Sequence, residues 1–183
     1  MRKALFFLAL LVVFAVCGSA TVRSEDKKAS GEEIAAEIIE LRETLAKNFI
    51  KPGAEVTEET FKGVCGAVAK RAREISTTQG VVIRHAAKKH RNPKNAPNED
   101  EQKLIEKFTG AGLKDFKDSV TVDAKSYSRY VRPIYVQEAC LSCHGQKENR
   151  PAFIVEKYPD DRAFGFKAGD LRGIIIVLTP ERP

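Results

Sequence analysis

Hydrophobic residues recur every three or four positions along the first half of the chain. The segment Glu32–Phe49 predicts an amphipathic helix that ends before Pro52. A second helix is expected to begin at Thr57, whose hydroxyl suits an N-cap, and a third at Asn98, continuing to Phe108. The apolar positions of the first two helices are Ile34, Ile38, Leu41, Leu45 and Phe49, then Phe61, Val64, Cys65, Val68, Ala72 and Ile75.

β-Branched and aromatic residues dominate the second half of the chain, which therefore predicts strands. We expect strands at Ser119–Val122, Tyr127–Val136 and Ile174–Thr179, after a short one at Val81–Ile83. Glycines at regular places in Phe164–Gly173 suggest a hairpin that leads into the last strand. Helices followed by strands predict an α+β domain with an antiparallel sheet.

The N-terminal segment has the pattern of an export signal. A basic start precedes the apolar run Ala4–Val16, and the small residues Gly18, Ser19 and Ala20 follow it. A membrane-spanning helix needs about 20 apolar residues, and this run is shorter. The segment is therefore expected to be cleaved after Ala20 and not to be retained as a membrane anchor. A retained anchor and a lipid at Cys17 remain as alternatives. The expected organisation is a signal peptide over residues 1–20, a flexible segment over 21–30 and one domain over 31–183, in a periplasmic or equivalent compartment.

Composition adds one exclusion. The net charge is +6, with 31% charged and 43% hydrophobic residues, which is a globular mixture. Basic residues alternate with acidic ones and no nucleic-acid motif accompanies them, so nucleic acid is not an expected partner.

Cleavage after Ala20 would leave three cysteines, and two of them belong to a motif of known chemistry. Cys140 and Cys143 are spaced C-x-x-C and His144 follows directly. A c-type haem forms thioethers with two cysteines at this spacing, and the next histidine binds the iron. The alternatives are a disulfide, or a zinc site that would need a further ligand. The sequence therefore predicts covalently bound haem c, with Cys65 left unpaired.

The second axial iron ligand is not fixed by the motif. The only methionine is Met1, which the signal peptide would remove, so histidine–methionine ligation is excluded. Cys65, His85, His90, a weaker ligand such as lysine, or an open position remain. Cys65 lies on the predicted buried face of the second helix, where a cysteine is often a small core residue. Because a spare thiol is easily oxidised outside the cytoplasm, we favour Cys65 as an iron ligand.

The chain resembles the Tll-type, PAS-like haem c domain family. Three motifs carry the resemblance, namely the segment Arg91–Pro97, the haem motif Cys140–His144 and the segment Phe164–Gly173. The chain is also similar to the small haem subunits of the NaxLS complex of anammox bacteria. The resemblance implies a PAS-like fold and histidine–cysteine ligation of the iron, with Cys65 matching the family's distal cysteine. It also implies that nitric oxide or carbon monoxide binds when the cysteine is released.

Several functional expectations follow. A gas or redox sensor is favoured over an electron carrier with fixed ligands, and an enzyme is not expected. A peroxidase would need His85 and Arg84 together in the site, but adjacent strand residues point to opposite faces. Arg84 and Arg91 are candidates to bind the haem propionates. Ile39, off the main stripe of the first helix, predicts apolar surface for a homodimer or for a heterodimer with a related haem subunit.

Overall fold

The structure, a computed structural model, describes residues 28–181 except 52 and 111. The expected signal peptide and Cys17 lie outside the described residues and stay predictions. Within these ranges, no helix has the length and apolar character that crossing a membrane requires. Lys28 and Ala29 hydrogen-bond to Gln79, so the packed part of the chain begins before residue 31.

Most of the helical residues belong to three helices. The first two in the chain cover one face of the sheet, and the third is shorter. Helix α1 spans Gly31–Phe49, one residue longer at its start than expected, because Ser30 and Glu33 form a capping box there. Thr57 caps the second helix as expected. That helix has three parts, α2 (Glu58–Phe61), a π-helical turn (Lys62–Gly66) and α3 (Ala67–Gln79). The other helices are α4 (Glu99–Gly110), α5 (Leu141–His144) and α6 (Ala152–Lys157).

The strands form a four-stranded sheet in the order β1-β4-β3-β2, with every neighbouring pair antiparallel. They are β1 (Val82–Ala86), β2 (Phe116–Val122), β3 (Lys125–Tyr135) and β4 (Leu171–Pro180). The helices and this sheet confirm the α+β prediction.

The hairpin expected at Phe164–Gly173 is wrong. Only Leu171 onward is strand, and the residues before it form bends and turns. The backbone amides of Gly165 and Phe166 donate to the carbonyls of Gly145 and His144, instead of pairing within the segment. Gly165 and Gly169 have positive φ angles, which glycine adopts without strain, so the motif glycines make turns.

The two faces of the sheet carry separate hydrophobic clusters. One face packs against α1 and α3, and the other packs against α4 through Leu104, Ile105 and Phe108. Ile39 belongs to the first cluster and is only 7% exposed. The expectation that Ile39 offers free surface for a partner is therefore wrong, because the stripe of α1 is wide enough to bury it within the chain.

Candidate functional site

A cavity of about 270 Å³ lies between the sheet, the first two helices and the segment that carries the C-x-x-C-H motif. It brings together residues that are far apart in sequence. Cys140, Cys143 and His144 come from the motif, Cys65 comes from the π-helical turn, and Arg91 comes from the loop after β1. The wall also includes apolar residues, among them Ala46, Ile50, Val56, Phe61, Val64, Val68, Ile134 and Ile174.

The haem motif folds into a short helical segment that presents its three functional side chains to the cavity. Burial raises the pKa of the Cys143 thiol to about 11 and also raises the pKa of Cys140, with Cys65 adding to both shifts. The two thiols of the motif therefore stay protonated at neutral pH. Cys143 packs against Ala46 and Val64, which fixes the motif helix to the helical side of the cavity.

His144 has the tautomer that metal binding requires. Its Nδ1 lies 2.6 Å from the carbonyl oxygen of Ala163. Because a carbonyl only accepts, Nδ1 must carry the proton, which leaves the lone pair on Nε2. Burial, together with the charges of Arg172 and Arg91, holds the pKa of His144 well below its usual value. The ring is therefore neutral, with one nitrogen held by the protein and the other available to a metal.

The segment Asp161–Phe166 forms the support for this histidine. The carbonyl of Ala163 accepts from the ring of His144. In addition, the amide of Gly165 donates to the carbonyl of Gly145, and the amide of Phe166 donates to the carbonyl of His144. The ring of Phe166 meets the imidazole of His144 edge-on, with the ring centres 6.3 Å apart. The segment Phe164–Gly173 thus begins beside the haem motif Cys140–His144.

Cys65 lines the cavity, but not as the sequence predicted. The residue is exposed, whereas the periodicity of the helix put it on the buried face. The physical reason is the π-helical turn Lys62–Gly66, which inserts an extra residue and rotates Cys65 relative to its buried neighbour Val64. An exposed thiol is not a small core residue, so the core interpretation of Cys65 is wrong. Single π-helical turns frequently mark functional sites.

His85 and His90 also line the cavity. Burial, followed by the charges of Arg42 and Arg172, lowers the pKa of His85 to about 3, so this ring is neutral. Nε2 of His85 and Nδ1 of His90 are buried without a hydrogen-bond partner. His85 is therefore a second candidate for an iron ligand, in addition to Cys65.

Arg84, which the sequence suggested as a ligand of a haem propionate, lies outside the cavity. Its side chain lies on the opposite sheet face from His85, as strand alternation predicted, and it does not line the cavity. Nε and Nη2 bind the two carboxylate oxygens of Glu101 at 2.6 and 2.9 Å. Nη1 and Nη2 also donate to the carbonyls of Lys94 and Ala96. The assignment of Arg84 to a haem propionate is therefore wrong, because its guanidinium links α4 to the segment Arg91–Pro97.

Arg91 lines the cavity and is 8% exposed. Its Nε lies 3.3 Å from the Asp161 carboxylate, and its Nη2 donates to the carbonyl of Cys143 at 2.8 Å. Arg91 is thus held between Asp161 and the haem motif. Its predicted contact with a propionate stays a prediction.

Sequence reasoning missed two cavity arginines, Arg42 of α1 and Arg172 of β4. The side chain of Arg42 forms no hydrogen bond or ion pair with any residue that the structure describes, and its Nε is buried. Arg172 donates to the carbonyl of Lys89, while burial and the charges of Arg42 and Arg91 lower its pKa to about 10. Sequence spacing contained no signal for either, because they meet only through the tertiary fold.

The charges of the cavity fit a group that carries acidic substituents. Three arginines line it, and no Asp or Glu is among the described residues of its wall. Arg91 is paired with Asp161, whereas Arg42 and Arg172 form no salt bridge with any described residue. A buried cation without such a partner is costly, so an anionic occupant would stabilise the site. A haem has two carboxylates, an apolar ring, and positions for two thioethers and an axial histidine, so the residues present fit it. Among the described residues, no group of three or more His, Cys, Asp or Glu could hold a metal ion unaided.

Comparisons with known proteins agree with this site. Residues 22–180 match the model of the Tll0287-like family. The chain is similar to the crystal structure of the cyanobacterial haem protein Tll0287, with 40% sequence identity and a TM-score of 0.71. The match covers 84% of this chain and 98% of that protein. A comparison with curated proteins found no match. The chain belongs to the Tll0287-like family.

Proposed function

We propose that the protein is a c-type haem protein with histidine–cysteine ligation, and that it binds a diatomic gas when the cysteine is released. The observation that carries the proposal is the arrangement of Cys140, Cys143, His144 and Cys65 around a single cavity. The similarity to a haem protein of the same family supports the cofactor.

Each cavity residue has a defined task in this proposal. Cys140 and Cys143 supply the two thioethers, and His144 offers Nε2 to the iron while Ala163 holds Nδ1. Arg42 and Arg172, which line the cavity, would balance the negative charge of the propionates. Bound haem supplies an iron that changes oxidation state and accepts a gas molecule as ligand.

Cys65 is the ligand that leaves. A thiolate donates strongly to ferric iron and less favourably to ferrous iron, so reduction favours its release. Its exposure and its position in a π-helical turn support this role, because the thiol is not fixed by core packing. The equilibrium between bound and released Cys65 would then respond both to reduction and to the gas.

Electron transfer with fixed ligands is the second candidate. His85 favours it, because a neutral imidazole in the same cavity could give stable bis-histidine ligation. This version predicts a six-coordinate iron in both oxidation states and no reaction with nitric oxide or carbon monoxide.

Substitution of the three candidate ligands separates the two functions. Cys65→Ala should abolish the thiolate signature of the ferric absorption and electron paramagnetic resonance spectra, and ferrous protein should bind nitric oxide faster because no ligand has to leave. The matched controls His85→Ala and His90→Ala should leave the ferric spectra nearly unchanged. If a histidine variant instead abolishes the low-spin signal and Cys65→Ala has no effect, bis-histidine electron transfer is the correct function.

A further inference from the structure

Asp161 is a buried carboxylate beside the haem motif that does not itself line the cavity. Its side chain is 0% exposed. Oδ1 accepts from the backbone amide of Ala163 at 2.9 Å and lies 3.3 Å from Nε of Arg91. Oδ2 accepts from Nη1 of Arg150 at 3.1 Å. A charge buried this completely is tolerated only where its partners compensate for lost hydration.

Two of the residues that contact Asp161, Ala163 and Arg91, also hydrogen-bond to the haem motif. Ala163, whose amide donates to Asp161, accepts with its carbonyl the hydrogen bond from His144 Nδ1 at 2.6 Å. Arg91 forms an ion pair with Asp161, in which its Nε lies 3.3 Å away without making a hydrogen bond, and its Nη2 donates to the carbonyl of Cys143 at 2.8 Å. One carboxylate therefore fixes both the ring and the backbone of the residues that would hold the iron.

The third contact serves as an internal control. Arg150 also binds Asp161, but its remaining hydrogen bond goes to the carbonyl of Lys147, outside the haem motif. Its guanidinium also lies over the ring of Phe164, 4.7 Å from the centroid, which is a contact with the supporting segment and not with the haem motif. A loss of Arg150 removes a buried ion pair of Asp161 without removing either route to the motif.

We propose that Asp161 is a positioning residue that fixes the orientation and donor strength of His144 as an axial ligand. The inference rests on the proposed function, because it concerns a bound iron. Partners that hydrogen-bond the second nitrogen of a metal-binding histidine fix the ring and raise its basicity. Asp161 does not contact His144. It accepts a hydrogen bond from the amide of Ala163 and so holds the residue whose carbonyl binds the ring of His144.

The experiment compares Asp161→Ala, Asp161→Asn and Arg150→Gln in the haem-loaded protein. Resonance Raman spectra of the ferrous, gas-free state report the iron–histidine stretching frequency. Asp161→Ala should lower and broaden this band, because the Ala163 carbonyl loses its fixed position. Asp161→Asn keeps one oxygen for the Ala163 amide but loses the charge that balances Arg91, so an intermediate shift is expected. Arg150→Gln should shift the band less than Asp161→Ala does, because it leaves both routes from Asp161 to the haem motif in place.

The outcomes distinguish the inference from the proposed function. A wild-type protein that carries no haem, or whose haem has no iron–histidine band, refutes the proposed function. Loaded protein in which Asp161→Asn keeps the wild-type band overturns the inference alone, even if Asp161→Ala does not fold. An equal shift in Arg150→Gln and the Asp161 variants also overturns it, because the effect would then reflect any broken buried ion pair.

Discussion

Replacement of Arg84 by methionine should destabilise the fold and leave the haem site unchanged. The structure gives Arg84 two hydrogen bonds to the Glu101 carboxylate and two to backbone carbonyls. Glu101, whose side chain is 8% exposed, also accepts from the amide of Asn98 and so completes the N-terminal cap of α4. The bound Glu101 carboxylate raises the pKa of Arg84, which indicates a favourable ion pair.

The size of the effect follows from the burial of the two partners. Breaking a fully buried pair costs about 3–5 kcal/mol, because one charge is left unpaired. Since the side chain of Arg84 is 31% exposed, water screens part of the interaction, and we expect about 2–3 kcal/mol. For a domain of this size that loss lowers Tm by roughly 4–12 °C.

Thermal and urea unfolding of the haem-loaded protein, followed by far-UV circular dichroism, measures this loss. A double-mutant cycle with Glu101→Gln should return a favourable coupling energy between the two side chains. The haem absorption spectrum should match that of the wild type. A loss below about 0.5 kcal/mol, the range of ordinary surface substitutions, would contradict the structural role of Arg84, and so would a changed haem spectrum at unchanged stability.

Three further predictions concern the cavity itself. Arg42→Gln and Arg172→Gln should each lower the reduction potential measured by spectroelectrochemistry, because a cation that disfavours ferric iron is removed; an unchanged potential would place the propionates elsewhere. Cys143→Ser should weaken covalent haem attachment, as seen in haem-stained denaturing gels, and full attachment would contradict its thioether role. The depressed pKa of His85, about 3 against 6.5 unfolded, makes its contribution to stability complete above pH 6.5 and progressively lost as the pH falls toward 3. Unfolding free energies of His85→Leu should therefore depend less on pH in that window than those of the wild type, and parallel curves would refute the assignment.

The helices and strands were largely predictable because their periodicity is a local property. Glu32–Phe49, the caps Thr57 and Asn98, and the β-branched runs lead to elements that the structure contains with shifts of a few residues. The π-helical turn was not predictable, since no local pattern marks one extra residue in a helix, and it reversed the expected burial of Cys65.

Part of the candidate site was also predictable from local sequence, and part was not. The C-x-x-C-H spacing alone located three residues of the cavity, Cys140, Cys143 and His144. Alternation along β1 predicted that Arg84 and His85 point apart, but not which of them meets the cavity, because that depends on where α4 packs. Arg42 and Arg172 lie on separate elements, α1 and β4, and become neighbours only through tertiary contacts.

We propose that this cavity holds a haem attached through Cys140 and Cys143. The decisive measurement is mass spectrometry of the denatured protein, followed by mapping of the proteolytic peptide that contains both cysteines. We predict one haem on that peptide, bound through both sulfur atoms and retained in acidified organic solvent. A peptide with two free thiols, a disulfide between Cys140 and Cys143, or haem that the solvent extracts would contradict the claim.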